Sequence, residues 1–370
     1  MMKIVSIEAI PFYIPFDPEL SLKFAYRVSS AAEHVFVRIR TDEGITGIAE
    51  APARPQIYGE TQQSIVAVVE KYLAPSLLGS DPFDLEKIHA IMGHLAHNLT
   101  AKASIDIAIH DILGKALHLP LFKLFGSSSD RPIPLSWMVG MRPKEEMVRE
   151  CERFLSMGIK AFKLKIGLDP KEDVENFKAI RKGLGEEVLL YVDGNQAYPP
   201  KVAMKVIREL EPYGLAWVEE PCPVWDYKGR AELARSISIP ILGDESCFTP
   251  KDVLRELELG AVGMVLIKVA RTGFYQTRKI IHMCQERHIP CVVGSQGDSS
   301  IGAAASAHVA SSFENILLPA ECSYHLRMKG DLLKIPLSLL KGTLEVPKAP
   351  GLGIEVEESK LAEFRQSLGR

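Results

Sequence analysis

The chain has no Cys-x-x-Cys pair among its six cysteines, which lie scattered at Cys151, Cys222, Cys247, Cys284, Cys291 and Cys322. They read as reduced thiols of a cytosolic protein rather than as a disulfide framework. Basic residues are not in excess either. The formal net charge is −3, so nothing points to nucleic acid or to an anionic membrane as a partner. No apolar run reaches transmembrane length. The opening MMKIVSIEAIPFYIPF has one lysine, an early glutamate and no cleavage-type small-residue site, and it reads as a strand rather than a signal peptide. What is left is an ordinary soluble composition, 46% hydrophobic and 25% charged. A length of 370 residues exceeds one small domain and suggests two, one of them a large barrel.

Residues 3–14, 34–40 (HVFVRIR) and 44–50 (GITGIAE) alternate as strands, the last two joined by the hairpin signal Thr41-Asp42-Glu43-Gly44. Residues 15–30 form a loop rich in polar and aromatic side chains. Helical spacing follows over 61–73, 82–94 and 100–117. Residues 1–125 therefore read as an α+β domain, closed by the polar junction GSSSD at 126–130. Short apolar strands then alternate with amphipathic helices. Candidate strands are 133–139, 160–166, 188–193, 215–219, 240–244, 262–268, 290–295 and 316–319. This alternation predicts a parallel α/β barrel over 126–339, although the pattern alone also allows an open sheet. The Pro/Gly-rich tail that begins at residue 341 is expected to run back over the first domain, so that 340–370 belongs with 1–125.

The densest chemistry lies in AFKLKIG, residues 161–167, where Lys163 and Lys165 stand one apart in an apolar run. Strand geometry sends both ammonium groups to one face. Two cations side by side favour losing a proton from one of them, and a lysine of lowered pKa is a general base. A charged face on an edge strand is the plainer reading. The other strand ends tip the balance, because catalytic groups of a parallel barrel sit at the C-terminal ends of strands. Those ends carry Asp193, then Glu219 and Glu220, then Asp244 and Glu245, then Lys268. Any one alone could be a helix cap or a solvated loop charge. Carboxylates on three consecutive strand ends would repel one another unless a positive charge sits between them. All-oxygen ligation without Cys or His selects a hard divalent cation, magnesium first and manganese second. Such an ion on a substrate carboxylate acidifies the adjacent C–H, and Lys165 and Lys268, on strands across the barrel, would handle the proton.

Taken together, the motifs Lys163-Leu164-Lys165, Asp193-Gly194-Asn195, Glu219-Glu220-Pro221, Asp244-Glu245-Ser246 and Lys268 within IKVARTGF resemble the enolase superfamily, in particular its muconate lactonizing enzyme subgroup. Residues 102–115 (KASIDIAIHDILGK) and 294–308 (GSQGDSSIGAAASAH) resemble it too. The resemblance spans essentially the whole chain and implies a modified TIM barrel, (β/α)7β, with an N-terminal α+β capping domain. It implies Asp193, Glu219 and Asp244 as magnesium ligands and Lys165 and Lys268 as the acid/base pair. Lys163 would hold the substrate carboxylate and depress the pKa of Lys165, and Asn195 would stand beside the metal. A small-molecule carboxylate is the implied partner, and a homo-oligomer, from dimer to octamer, is expected.

Departures from the family pattern narrow the reaction. Lys268 stands where a mandelate-racemase-like enzyme would place a His-Asp pair. Dipeptide epimerases carry Asp-x-Asp after the eighth strand, whereas here the stretch is Ala320-Glu321-Cys322-Ser323. The single Glu321 favours a muconate-type cycloisomerase or a racemase of N-acyl amino acids. Asp298, after strand seven, is a candidate partner of a base or of the substrate. Specificity is expected from cap segments: residues 17–30, with Lys23, Phe24, Tyr26 and Arg27, and residues 54–58 (RPQIY). Lys23 or Arg27, if turned inward, would select a distal anion. Trp137 and Met138 would form an apolar wall or fill the barrel core, and the histidines are given no role. The leading expectation is a magnesium-dependent isomerase that works through an enolate. The alternatives are a dehydratase using the same lysines and a non-catalytic member that retains the fold.

Overall fold

The computed structural model describes residues 1–25, 28–127 and 131–366. Its N-terminal unit opens with strands Ile4–Pro15, Ala31–Thr41 and Thr46–Pro52, joined as an antiparallel meander with the second strand in the middle. Val35, Phe36, Val37 and Ile39 of that middle strand are all buried, because the sheet is covered on both faces. Helix Gln62–Val68 starts at a capping box between Thr61 and Ser64, and helix Leu85–Gly93 starts at Asp84, whose carboxylate accepts from Lys87 N. Helix Leu99–Ala116 lies so close to the third strand that a Cβ on Gly47 would stand 2.0 Å from the Ala108 carbonyl oxygen. Only glycine permits that approach.

The second unit is a barrel of eight parallel strands: Ser136–Val139, Ala161–Lys165, Leu189–Asp193, Leu215–Glu219, Ile241–Gly243, Met264–Ile267, Cys291–Val293 and Ile316–Leu317. Strands consecutive in sequence are neighbours in the sheet. The ring closes beyond the last strand, where Leu135 pairs in parallel with Ala320; Ser136 N donates to Ala320 O and Ala320 N to Pro134 O, both at 2.9 Å. The expected first strand is shorter than its apolar run. Ile133–Pro134 turns out of the barrel and pairs antiparallel with Thr343–Leu344, since Pro134 has no N–H to give a central ladder. Inside the barrel Tyr191, Trp217, Leu242, Met264, Leu266 and Val292 pack as a cluster of their own. The main core lies between the sheet and its helices.

Three contacts bring the C-terminal stretch back to the first unit. Leu121 N donates to Gly351 O at 3.0 Å, Leu352 N to the Asp111 carboxylate at 2.8 Å, and Gln366 N to Pro11 O at 2.9 Å. Within the segment over the barrel mouth, Leu22–Lys23 pairs with Val28–Ser29. That segment is latched to the loop after the first barrel strand by Met141 N on Lys23 O at 2.9 Å and by Arg142 Nη1 on Glu19 O at 2.6 Å. Among the described residues no helix is long and apolar enough to cross a membrane.

Candidate active site

The charged strand ends meet at one mouth of the barrel. Lys163 and Lys165 both reach a small cavity there, as two residues one apart on a strand must. Lys163 Nζ lies 2.9 Å from Glu219 Oε2, 2.7 Å from Glu321 Oε1 and 3.6 Å from Asp193 Oδ2. Lys165 Nζ pairs with Asp193 and donates to Asn195 Oδ1 at 2.8 Å. Across the mouth, Lys268 Nζ is 2.5 Å from Asp244 Oδ2, and Arg271 Nη1 is 2.5 Å from Asp244 Oδ1. All of these side chains are buried. Burial alone would discharge Lys163, but Glu219, Glu321 and Asp193 outweigh it and hold its pKa well above the usual lysine value. Crowding therefore does not discharge Lys163: the acids around it decide its state.

The two acid pairs divide their work. Glu219 faces the lysines, whereas Glu220 turns outward with a positive φ of 33°. One oxygen of Glu220 accepts from Asp244 N and Ser246 N at 2.9 Å and from Ser246 Oγ at 2.8 Å. Its other oxygen lies 3.4 Å from Arg230, which is bonded in turn to Glu256 at 2.6 Å. Glu220 thus holds the loop that carries Asp244. Glu245 accepts from Asn195 Nδ2 at 3.0 Å, and its second oxygen is buried without a partner. Burial, then repulsion from Asp244, Asp193 and Glu220, push its carboxyl up to about 8. Glu219 is likewise pushed well up by burial and by Asp193, with Glu321 and Asp244 adding to it against the pull of Lys163. Asn195 is a left-handed residue, φ 41°, a conformation stored more often at functional sites than elsewhere.

The cavity between these groups measures about 30 Å³. Phe24, Arg54 and Ile57 of the N-terminal unit wall it together with Met138, Ser295, Gln296, Gly297 and Tyr324. Lys165 Nζ stands 4.8 Å from the centre of the Phe24 ring. Phe24, not Lys23, enters the site: Lys23 lies on the exposed face of its strand. Tyr26 and Arg27 lie outside the described residues. Trp137 is a core residue, stacked on Phe154 and donating to Glu150 at 2.8 Å, while Met138 lines the cavity. Glu321 accepts from Tyr191 OH at 3.0 Å besides meeting Lys163. Among the described residues no three acidic, His or Cys side chains stand together as an ion cage; each of Asp193, Glu219 and Asp244 leans on a lysine instead.

Family models match nearly the whole chain in two pieces. Residues 13–126 match the mandelate racemase/muconate lactonizing enzyme N-terminal domain, and residues 146–360 match the enolase C-terminal domain-like family. The chain belongs to the enolase superfamily. It is an isomerase of the branch that includes the muconate lactonizing enzymes, as its relatives are. A muconate lactonizing enzyme from Mucobacterium Smegmatis, solved with muconolactone, superposes with a TM-score of 0.95 at 40% identity over 99% of this chain and 100% of that one. The N-succinyl-L-Arg/Lys racemase of Bacillus cereus is 30% identical over 98% of each chain. A dipeptide epimerase from Enterococcus faecalis V583, solved with Mg and the dipeptide L-Leu-L-Tyr, has a TM-score of 0.90 at 29% identity over 95% of this chain and 99% of that one.

Several groups of this superfamily member are not marked by a strand-end position. Arg271 sits one helical turn after Lys268 at the start of Val269–Glu286, and only that spacing signals it. Arg54 and Glu50 come from the N-terminal unit. Glu50 accepts from Ser299 N at 2.8 Å, from Gly302 N at 3.1 Å and from His34 Nδ1 at 3.1 Å when that nitrogen is protonated. Asp298 belongs with Glu50 rather than with the cavity. Its carboxylate accepts from Gln296 N at 3.2 Å, its own N–H donates to Ser295 Oγ at 3.1 Å, and the nearby charges are Glu50 and Arg54. Burial, with repulsion from Glu50, pushes its carboxyl up to about 7. An acid whose pKa is higher folded than unfolded, where it is about 3.9, contributes stability below the unfolded value and loses it as pH rises through the folded one. Asp298→Asn is therefore expected to flatten the fall in melting temperature between about pH 4 and 7, with the variant gaining on the wild type toward pH 8. Parallel curves for the two proteins would show that Asp298 is not held protonated by the fold.

Proposed function

We propose that this isomerase is a magnesium-dependent cycloisomerase of muconate type, acting at the carbon α to a substrate carboxylate. The observation that carries this reading is Glu321, a single acid after the eighth strand already engaged by Lys163 and Tyr191. Its neighbours Ala320 and Cys322 are buried and uncharged, so this stretch offers no second carboxylate to a substrate ammonium. A substrate without a free amine fits such a wall, and an α-amino group does not. In the forward direction one substrate carboxylate oxygen adds to the distal double bond. The displaced electron pair moves toward the other carboxylate as an enolate, and a lysine ammonium delivers a proton to the α-carbon. Lys165 and Lys268 flank the cavity from opposite strands, so each addresses one face of a planar enolate. That two-sided placement also suits racemisation of an N-acyl amino acid, which is the second reading.

The donor set fits a hard divalent ion. Asp193, Glu219 and Asp244 would hold it, and the mutual repulsion around Glu219 and the unpartnered buried oxygen of Glu245 speak for more positive charge than the lysines supply. When bound, such an ion offsets the charge that develops on the substrate carboxylate. Phe24 and its segment have to shift for a substrate to fit, because the cavity has room for little more than a few waters.

Proton NMR in heavy water with magnesium tests the proposal against cis,cis-muconate, N-acyl amino acids and free dipeptides. Muconate is expected to give lactone carrying one deuterium at the α-carbon, with turnover lost on chelation and magnesium raising the melting temperature of the wild type but not of Asp244→Asn. Exchange of free dipeptides alone would overturn it.

A further inference from the structure

Arg54 follows the strand Thr46–Pro52 and opens the short helix Pro55–Tyr58. Its side chain is 3% exposed and faces the same cavity as Lys165 and Lys268. Nη1 donates to the neighbouring Ala53 carbonyl at 3.0 Å, while Nη2 is buried with no partner. No described carboxylate comes within 4.0 Å of the guanidinium. Every other buried cation at the cavity (Lys163, Lys165, Lys268) has an acid of its own. The loop after the seventh strand leaves room for this side chain. Gly297, with φ 79°, lies so close that a Cβ there would be 1.8 Å from Nη2. Asp298 feels the Arg54 charge from further off, but a guanidinium kept out of water with no carboxylate in contact is costly unless an anion arrives to pair with it. Its planar fork suits a carboxylate better than any other small anion of central metabolism except phosphate.

We infer that Arg54 binds a second carboxylate of the substrate, remote from the carbon that exchanges its proton. The inference rests on the function proposed above and narrows its substrate class to dicarboxylates: muconate itself, or an amino acid acylated by a diacid such as succinate. Monocarboxylates and neutral N-acyl chains leave Arg54 unpaired and are poor substrates.

The test compares wild type with Arg54→Gln on two matched pairs, cis,cis-muconate against its monoamide and N-succinyl-phenylalanine against the N-succinamoyl analogue. Binding is measured by calorimetry with magnesium, and turnover by NMR. A charge-assisted hydrogen bond lost from a buried site corresponds to roughly 10- to 100-fold. The wild type is expected to prefer the diacid of at least one pair by that factor in affinity and, for the N-succinyl pair, in kcat/KM. The muconate pair is read in affinity alone, because its second carboxylate is also the nucleophile of the lactonisation. Arg54→Gln should abolish the preference, change the monoamide less than about threefold, and melt no lower than the wild type because no ion pair is lost. Which pair shows the effect identifies the source of the distal carboxylate. Equal binding of diacid and monoamide by the wild type would overturn the inference, as would a variant that weakens both alike while melting lower. Arg54-dependent binding of a diacid without any turnover would overturn the proposed function and leave this assignment standing.

Discussion

Lys268→Ala is expected to lower turnover by about a thousandfold while the protein stays folded. The magnitude is that of a general acid or base removed from a site that otherwise keeps its binding groups. Folding is protected by an unusual redundancy. Asp244 has two cationic partners, so removing Lys268 leaves Arg271 Nη1 at 2.5 Å from its other oxygen. Breaking a buried ion pair normally costs about 3–5 kcal/mol because one charge is stranded; here none is. Lys165→Ala should be as slow, yet the two variants should differ in stereochemistry. Each leaves one lysine and hence one face served, so α-proton exchange with solvent should survive in each variant for one stereoisomer of the probe, the opposite one in the two. The measurement is single-turnover NMR in heavy water beside a thermal melt of each variant. Turnover near that of the wild type in Lys268→Ala would make Lys268 a structural counter-ion of Asp244 and take it out of the chemistry.

The barrel and its charged mouth were legible for one physical reason. Strands of a parallel barrel are buried on both faces and read as unbroken apolar runs, so a Lys, Asp or Glu at the end of each run stands out against its surroundings. The pairs Glu219-Glu220 and Asp244-Glu245 stand out by that logic, but the choice of Glu219 and Asp244 within them rests on the resemblance to the superfamily. The state of Lys163 was not legible in this way. Two lysines one apart predict repulsion, and what overrides it comes from Glu219 and Glu321, 56 and 158 residues away along the chain. The same holds for the wall contributed by the N-terminal unit. Phe24 and Arg54 reach the cavity only because the meander docks over the barrel mouth, and no local periodicity encodes that docking. Residues 17–30 and 54–58 could be singled out as cap segments, but not which side chain turns inward. Between Lys23 and Phe24 the alternation of a strand had to choose one, and the hairpin with Val28–Ser29 turns Lys23 to solvent.

Gly273→Ala is the structural counterpart, with an expected loss of about 3–5 kcal/mol in stability. Gly273 interrupts Val269–Glu286 with φ 59° and ψ −170°, a conformation open essentially to glycine alone. A Cβ there would also stand 2.4 Å from Asp106 Oδ2 and 2.8 Å from Asp106 Cβ. Asp106 cannot yield easily. Its carboxylate, entirely buried on helix Leu99–Ala116, accepts from Phe274 N at 2.5 Å and Tyr275 N at 3.2 Å, and His89 Nε2 lies 2.6 Å away. It therefore caps the restarted helix from the N-terminal unit. Displacing it strands the buried Phe274 N–H and the partly buried Tyr275 N–H in addition to the backbone strain. The start of the same helix is bonded to Lys268, whose carbonyl accepts from Arg271 N at 3.0 Å and Thr272 N at 3.3 Å, so kcat should fall together with the melting temperature. A double-mutant cycle with Asp106→Ala separates the two contributions. If the clash dominates, Gly273→Ala will cost much less once Asp106 is already truncated. Additive effects would assign the loss to the backbone of Gly273 and to the approach to Asp106 Cβ, which alanine keeps at 2.8 Å, and leave the carboxylate cap no part in it.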